Sequence, residues 1–466
     1  MRQAIGFVLA GILAAYAFAL PEPAGAPGPE FAGPEPPAIG ASAIGSVWYC
    51  PWLDSGDIRD SAFLLASVPP SAARITLPSP MPNEDPLEEE LAISGPGAVA
   101  QNLADIVRFG AAPGFVEFDD GPAGVAAAVF SRSSLAGDRC VRSVPKIWYL
   151  PGGTTRDGRE LTLRLFNPVS ELAKVTVSGV SEFGPEPLPD LGLVTEVPGR
   201  SWVDIELASI AHLLDNLLLI VGTEEGLIIP ALSLKVVDGD EATWPGTSLS
   251  TTWEFPVVAT DGLLPELVVA NPGPEPILVE VDAFDGLTSQ PLIVSEQISA
   301  GAPARIALPG NEGRPYGIRV TAGGPIAAVV VAISAVEGSE PALDGTDNGA
   351  DALAAPVLRV AGTVGAESRS LNWLLPGAGA IEEADETIWV MNGGDEPATI
   401  TLKPLGVRDL PAEKVVVRPG RTFGFEVPDN SLISGYFVES TEPVSVSWSA
   451  SDAGGTAFFS GIAISA

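Results

Sequence analysis

A Trp-x-x-Pro signature occurs four times in the chain: Trp48 with Pro51 (WYCP), Trp148 with Pro151 (WYLP), Trp253 with Pro256 (WEFP) and Trp373 with Pro376 (WLLP). Successive tryptophans are 100, 105 and 120 residues apart. Two further landmarks keep step with them. A serine lies five residues before the Trp in three copies (Ser143, Ser248, Ser368), and a strand-like run ending about 19 residues after it closes on Asn167, Asn271 and Asn392. The first copy has Ser67 at that place. Landmarks that agree in kind and spacing mean one unit written four times, so the folding problem is that of about 100 residues.

Within each copy apolar residues alternate with period two, as in half-buried antiparallel strands: Leu161, Leu163 and Leu165; Val279, Val281 and Ala283; Phe423, Phe425 and Val427; Val444, Val446 and Trp448. Turn pairs such as Pro198-Gly199, Gly273-Pro274 and Pro419-Gly420 separate them. Near the end of a copy a strand, a short turn and a second apolar strand recur, from Phe115, Tyr316 and Tyr436; the second copy departs, running from Leu217 with Pro230 inside its second strand. The fold class expected is all-β, with four tandem immunoglobulin-like β-sandwich repeats of some seven strands each, at 46–144, 145–249, 250–367 and 368–466, every signature Trp filling the gap between two sheets. A four-bladed propeller, needing only about 45 residues per blade, is the weaker alternative. The spacing in 205–219, which carries His212, predicts a short inserted helix or turn, and 337–365 reads as an acidic loop followed by a closing strand over 356–364.

Ahead of the copies, Ala4 to Leu20 is an uninterrupted apolar run after Arg2, and prolines begin at Pro21. Those 17 residues would span about 25 Å as a helix, short of a hydrocarbon core of about 30 Å. A cleaved export signal, cut after Ala17-Phe18-Ala19, and a single N-terminal membrane anchor (1–20) both fit. Residues 21–45 form a Pro-rich spacer.

The WYCP opening after such a leader and spacer, with repeated W-x-x-P and Leu-x-x-x-Asn-Pro strands in an acidic Ala/Gly/Pro-rich chain, resembles an actinobacterial family of exported or membrane-anchored proteins, domain of unknown function 5719. The resemblance implies an exported, β-rich envelope protein and brings no catalytic residues. Asn392-Gly393 and Ser67-Val68 depart from its Asn-Pro pattern.

Composition narrows the chemistry. A net charge of −35 repels phosphate backbones, so no nucleic-acid partner is expected. One His, two Cys and three Met leave almost no material for soft-metal or haem sites, and no cofactor is expected. His212 is the only possible imidazole base, and no Gly-x-Ser-x-Gly elbow accompanies it. Acids such as Glu88-Glu89-Glu90 and Asp119-Asp120 could pair for glycoside hydrolysis, but they are abundant and placed in expected turns, which favours plain solvation. The stretch Asp344 to Asp351 has the oxygen-rich look of a calcium loop yet carries Ala355 where a bidentate Glu belongs; Val237 to Glu241 is a weaker version. Cys50 and Cys140, near the two ends of the first copy, are expected to pair in an oxidising compartment. Trp52, Trp202 and Trp244 lie outside the repeated position and are the candidates for stacking on a sugar. The expected function is therefore a non-catalytic cell-envelope scaffold or binding accessory, with envelope proteins or glycans as partners. An exported carboxylate-dependent glycoside hydrolase and a lectin-like glycan binder are the alternatives.

Overall fold

The computed structural model describes residues 46–464 apart from 56–58, 80–84, 108–109, 132–133, 157, 185–193, 237–238, 259–261, 285–291, 309–314, 335–358, 407–409 and 429–432. The leader, the spacer and the stretch 344–351 lie outside the described residues. The fold is all-β: among the described residues the only helical pieces are single 3-10 turns at Leu103–Asp105 and Leu207–Ser209. The insert expected over 205–219 as a short helix or turn takes the form of the single 3-10 turn Leu207–Ser209. Its apolar residues serve three elements: the strand Ser201–Glu206, the turn with buried Leu207, and the strand Leu217–Glu225, whose Leu217, Leu218 and Leu219 are all buried.

The second copy displays the pairing most plainly. Its eight strands are Ile147–Gly153, Arg159–Asn167, Ala173–Ser181, Val194–Val197, Ser201–Glu206, Leu217–Glu225, Ile229–Val236 and Glu241–Pro245. They form two four-stranded antiparallel sheets, in the orders first-sixth-third-fourth and fifth-second-seventh-eighth. The first copy repeats both orders, from Val47–Cys50 to Ser134–Arg139. In the third and fourth copies the sixth and seventh strands fuse into one long strand, Gly317–Ser334 and Gly435–Ser451, but every pairing is kept. After the eighth strand the chain turns back to the first, so that Val141 meets Tyr49, Thr247 meets Tyr149, Ala366 meets Glu254 and Ile462 meets Leu374.

The immunoglobulin order is not the one observed. That fold joins its first strand to the second and its seventh to the sixth; here the seventh lies beside the second and the first beside the sixth. The fused strands give the physical reason, because a strand that crosses unbroken from one sheet to the other cannot fold back as a hairpin on itself. The signature tryptophans sit at one register in all four copies, opposite Val116, Val221, Val320 and Val438 of the sixth strand, and all are buried. Trp148, Trp253 and Trp373 each donate Nε1–H to a carbonyl where the chain passes between sheets, those of Ile228, Ile326 and Val444, at 3.0 Å. Each indole thus fills the core and holds the crossing; Trp48 donates to Ser46 Oγ at 3.3 Å instead.

The four copies close into a propeller-like ring. Their eighth strands, Ser134–Arg139, Glu241–Pro245, Val360–Val364 and Thr456–Ser460, touch one another in cyclic order, the fourth returning to the first. Apolar packing continues between copies, one core running through the second and third and another through the first and fourth.

Candidate functional site

Residues in equivalent places can be read by counting back from the bridge to the first strand. Six residues before the bridge stand Leu135, Glu241, Val360 and Thr456, and two before it stand Arg139, Pro245, Val364 and Ser460. Each eighth strand is the edge of its sheet, with alternate N–H groups directed away from the seventh strand and in need of acceptors. Asp240 meets that need at one end of the ring. Its two oxygens accept the N–H groups of Leu135 (3.0 Å), Glu241 (2.8 Å), Val360 (3.2 Å) and Thr456 (3.0 Å), one from each copy. Asp138 does the same at the other end, accepting from Arg139 (2.7 Å), Val364 (3.1 Å) and Ser460 (2.9 Å). The fourth equivalent position is Pro245, which has no N–H, and the Thr363 hydroxyl takes the remaining place at 3.0 Å. Burial pushes Asp138 up to about 6 and Asp240 up to about 8, against the pull of these donors toward the ionised form.

These carboxylates hold the ring together rather than face a substrate; of the weak calcium-like run Val237 to Glu241, positions 237 and 238 lie outside the described residues, and the oxygens of Asp240 are taken up by backbone N–H groups. Glu386 is used similarly, accepting from Gly379 and Ile381 N–H at 2.7 and 3.0 Å, and burial pushes it up to about 8. Glu254 is buried between the third and fourth copies against Arg319 (2.7 Å) and the Ser445 hydroxyl.

The repeated asparagines are also structural. Asn167, Asn271 and Asn392 each donate Nδ2–H to the carbonyl four residues on, at 2.8 Å, and to carbonyls at the end of the fourth strand, while Oδ1 accepts an N–H two residues on. One amide therefore closes its own turn and ties it to the next hairpin. Cys50 and Cys140 are joined as a disulfide, both buried, with Cα atoms 4.8 Å apart. His212 is exposed in the loop after the 3-10 turn. Glu88, Glu89 and Glu90 lie on an exposed edge strand, Leu87–Ile93, rather than in a turn, and Glu90 pairs with Arg74 across it at 3.0 Å. Asp119 and Asp120 do occupy a turn. Trp244 is fully buried and Trp202 half-buried on a strand.

Trp52 lines a groove of about 290 Å³ between the first and second copies. The floor is the outer face of the second copy's fifth-second-seventh-eighth sheet, where register places Thr162, Ser233 and Thr243 side by side on adjacent strands. Around them stand the carboxylates of Asp54, Glu160, Asp204, Glu206 and Glu241 and the cations Arg164 and Lys235. Arg164 is committed to the walls, bidentate to Asp204 at 2.7 and 2.8 Å and donating to the Leu53 carbonyl at 3.1 Å. Sequence reasoning reached Trp52 but not the rest, because these residues come together only through strand register. Among the described residues no group of three or more His, Cys, Asp or Glu side chains is placed to hold a metal ion.

The model of a family of unknown function, DUF5719, matches residues 123–358, from the seventh strand of the first copy to the approach of the third copy's last strand. This chain belongs to the DUF5719 family. Among curated proteins no relative matches it. A solved structure titled Thermotoga maritima 1070 aligns with 26% of this chain and 96% of its own, at 13% identity and a TM-score of 0.20, too slight a likeness to bear on the fold. Membership in DUF5719 brings no activity with it, so the reading of function rests on the ring and the groove.

Proposed function

We propose that this DUF5719 protein is a non-catalytic, exported cell-envelope protein that acts as a scaffold or binding accessory, built from four duplicated β-sandwich units with boundaries near 46–144, 145–249, 250–367 and 368–466. The units are immunoglobulin-like in being Greek-key sandwiches with a Trp between the sheets, with the first and seventh strands exchanged. The observation that carries the binding reading is the spending of buried carboxylates on the frame: Asp138, Asp240 and Glu386 accept backbone N–H groups, and Glu241, the buried acid in the groove, accepts from the Ser233 hydroxyl. The disulfide suits an oxidising compartment. A rigid ring presenting one polar groove is suited to holding a partner in fixed orientation.

Crosslinking in cells tests this reading. Envelope proteins or glycans recovered on residues around the ring support it. Turnover of cell-wall glycans by the purified protein, abolished by one Asp or Glu substitution that leaves the fold intact, would replace it with a hydrolase.

A further inference from the structure

The ring has four seams, and in each the residue four places after the signature Trp meets the outer sheet face of the following copy. That residue is Trp52, Gly152, Val257 or Gly377. Gly152 is so close to the third copy's face that a Cβ there would lie 2.7 Å from Val329 Cγ1. Gly377 is pressed likewise against Leu64 of the first copy, and Val257 shares a core with Phe458 of the fourth. Only the seam between the first and second copies carries a bulky ring at this place.

The facing sheet has changed with it. Where the second copy has Arg164, the equivalent residues are Leu64, Val268 and Trp389; where it has Ser233, they are Ala128, Val331 and Ser449. A large indole combined with charged and hydroxylated partners gives a groove at the position where the other seams are packed shut. Two changes on opposite sides of one seam, the Trp52 ring and the charge of Arg164, both absent from its equivalents, point to a site rather than to loose packing; the serine is shared with Ser449 of the fourth copy.

From this geometry we infer that the groove between the first and second copies binds an amine-bearing, hydroxylated ligand of the amino-sugar class. This rests on the binding reading above and gives it a ligand chemistry. The groove is rich in acceptors. Ser233 gives its hydroxyl hydrogen to Glu241 and Thr243 gives its own to the Leu232 carbonyl at 3.1 Å, so lone pairs remain for a ligand. Five carboxylates face two cations, of which Arg164 is already bound to Asp204 and to the wall. Ammonium and sugar hydroxyl groups supply donors to such a surface, whereas a phosphate or uronic acid would be repelled. The volume stands near the lower end for small-molecule clefts, about 300 Å³, which suits one or two sugar rings.

The probe is a glucosamine trimer, compared by calorimetry with its fully N-acetylated counterpart and with trilysine, using the whole exported chain. The glucosamine trimer is expected to bind at least about tenfold more tightly than the acetylated one. Glu160→Gln with Glu206→Gln, both at exposed positions, is expected to weaken it about tenfold without altering the melting midpoint. Trp52→Gly is expected to close the seam and abolish binding. Equal affinity for the two sugars, no binding of either, or indifference to the double substitution overturns the inference. So does tight binding of trilysine alone, which would make the ligand a basic peptide. If the sugars fail while crosslinks to envelope partners persist, the scaffold reading stands and the ligand assignment falls.

Discussion

The seam between the first and second copies and the seam between the second and third are built on the same backbone plan, yet one is open and polar and the other closed and apolar. The first sets Trp52 in a groove with Arg164, Ser233 and Thr243; the second sets Gly152 against Val329 and Val331. A duplicated ring can therefore gain a cleft while keeping its eight-strand plan, with a short ribbon, Asp54–Ser55 against Gly110–Ala111, added in the first copy. The frame is held elsewhere, by the Trp-filled cores and by the two aspartates on the ring, so one seam is free to change. Frame and seam should then respond very differently to substitution.

The largest loss is expected at the frame. Asp240→Ala leaves four buried N–H groups from four copies without an acceptor, and at about 1 to 3 kcal/mol for each unsatisfied donor the cost is about 4 kcal/mol or more. Chemical denaturation should show it as a lower midpoint in one cooperative transition. Separate transitions for individual copies, with the midpoint little changed, would mean that the ring is not what couples them.

Next comes the disulfide. Cys50 and Cys140 close a loop with a sequence separation of 90, for which a loss of about 2 to 4 kcal/mol is expected in Cys50→Ser with Cys140→Ser. Local opening should speed hydrogen exchange most in the first copy, while the single cooperative transition shifts as a whole. At the closed seam, Gly152→Ala should cost about 1 to 3 kcal/mol, because the added methyl meets Val329 and the backbone there has φ of +95°. Trp52→Gly at the open seam should cost less than a buried Trp usually does if the second copy's face closes over the space. Equal losses at the two positions would remove the contrast between the seams.

The pH response sharpens the comparison further. Burial raises Asp138 to about 6 and Asp240 to about 8, whereas an unfolded aspartate titrates near 4. The folded state thus holds protons that the unfolded state has released. Their contribution to stability is full below about pH 4 and is lost as pH rises through about 6 and about 8. Melting midpoints should fall between pH 5 and pH 8.5, and Asp240→Asn should flatten that fall even though its midpoint is lower throughout. An unchanged slope in the variant would place the pH dependence outside the ring.

Much of the frame was legible in the sequence, because it depends on local signals. Trp-x-x-Pro and the strand-ending Asn mark a register and a turn, and both occupy one structural place wherever they recur. Strand order was not legible. The choice between an immunoglobulin hairpin and a crossing strand is made by long-range pairing, although the unbroken run from Tyr316 to Ile333 carried a hint of it. Asp138 and Asp240 were hidden for a different reason. Each occurs in only one copy, and its partners are backbone groups up to 322 residues away, which leave no side-chain pattern. The groove needed both kinds of knowledge, since its hydroxyls meet only across strands and its significance emerges only against three closed equivalents.

The smallest effect is expected at His212. It carries the only imidazole in the chain, so any chemistry that moves a proton near neutral pH by way of histidine must use it. It is exposed in the loop between the 3-10 turn and the next strand, beside Leu213, which is also exposed, at a left-handed φ of 58°. An exposed loop side chain away from caps and cores usually changes stability by less than about 0.5 kcal/mol when it is cut back. His212→Ala should therefore leave the melting midpoint, the binding of the glucosamine trimer and the cellular crosslinks as they are. A variant that folds normally yet loses the cellular role would move the working surface from the groove to this loop, and with it the case for binding without proton transfer.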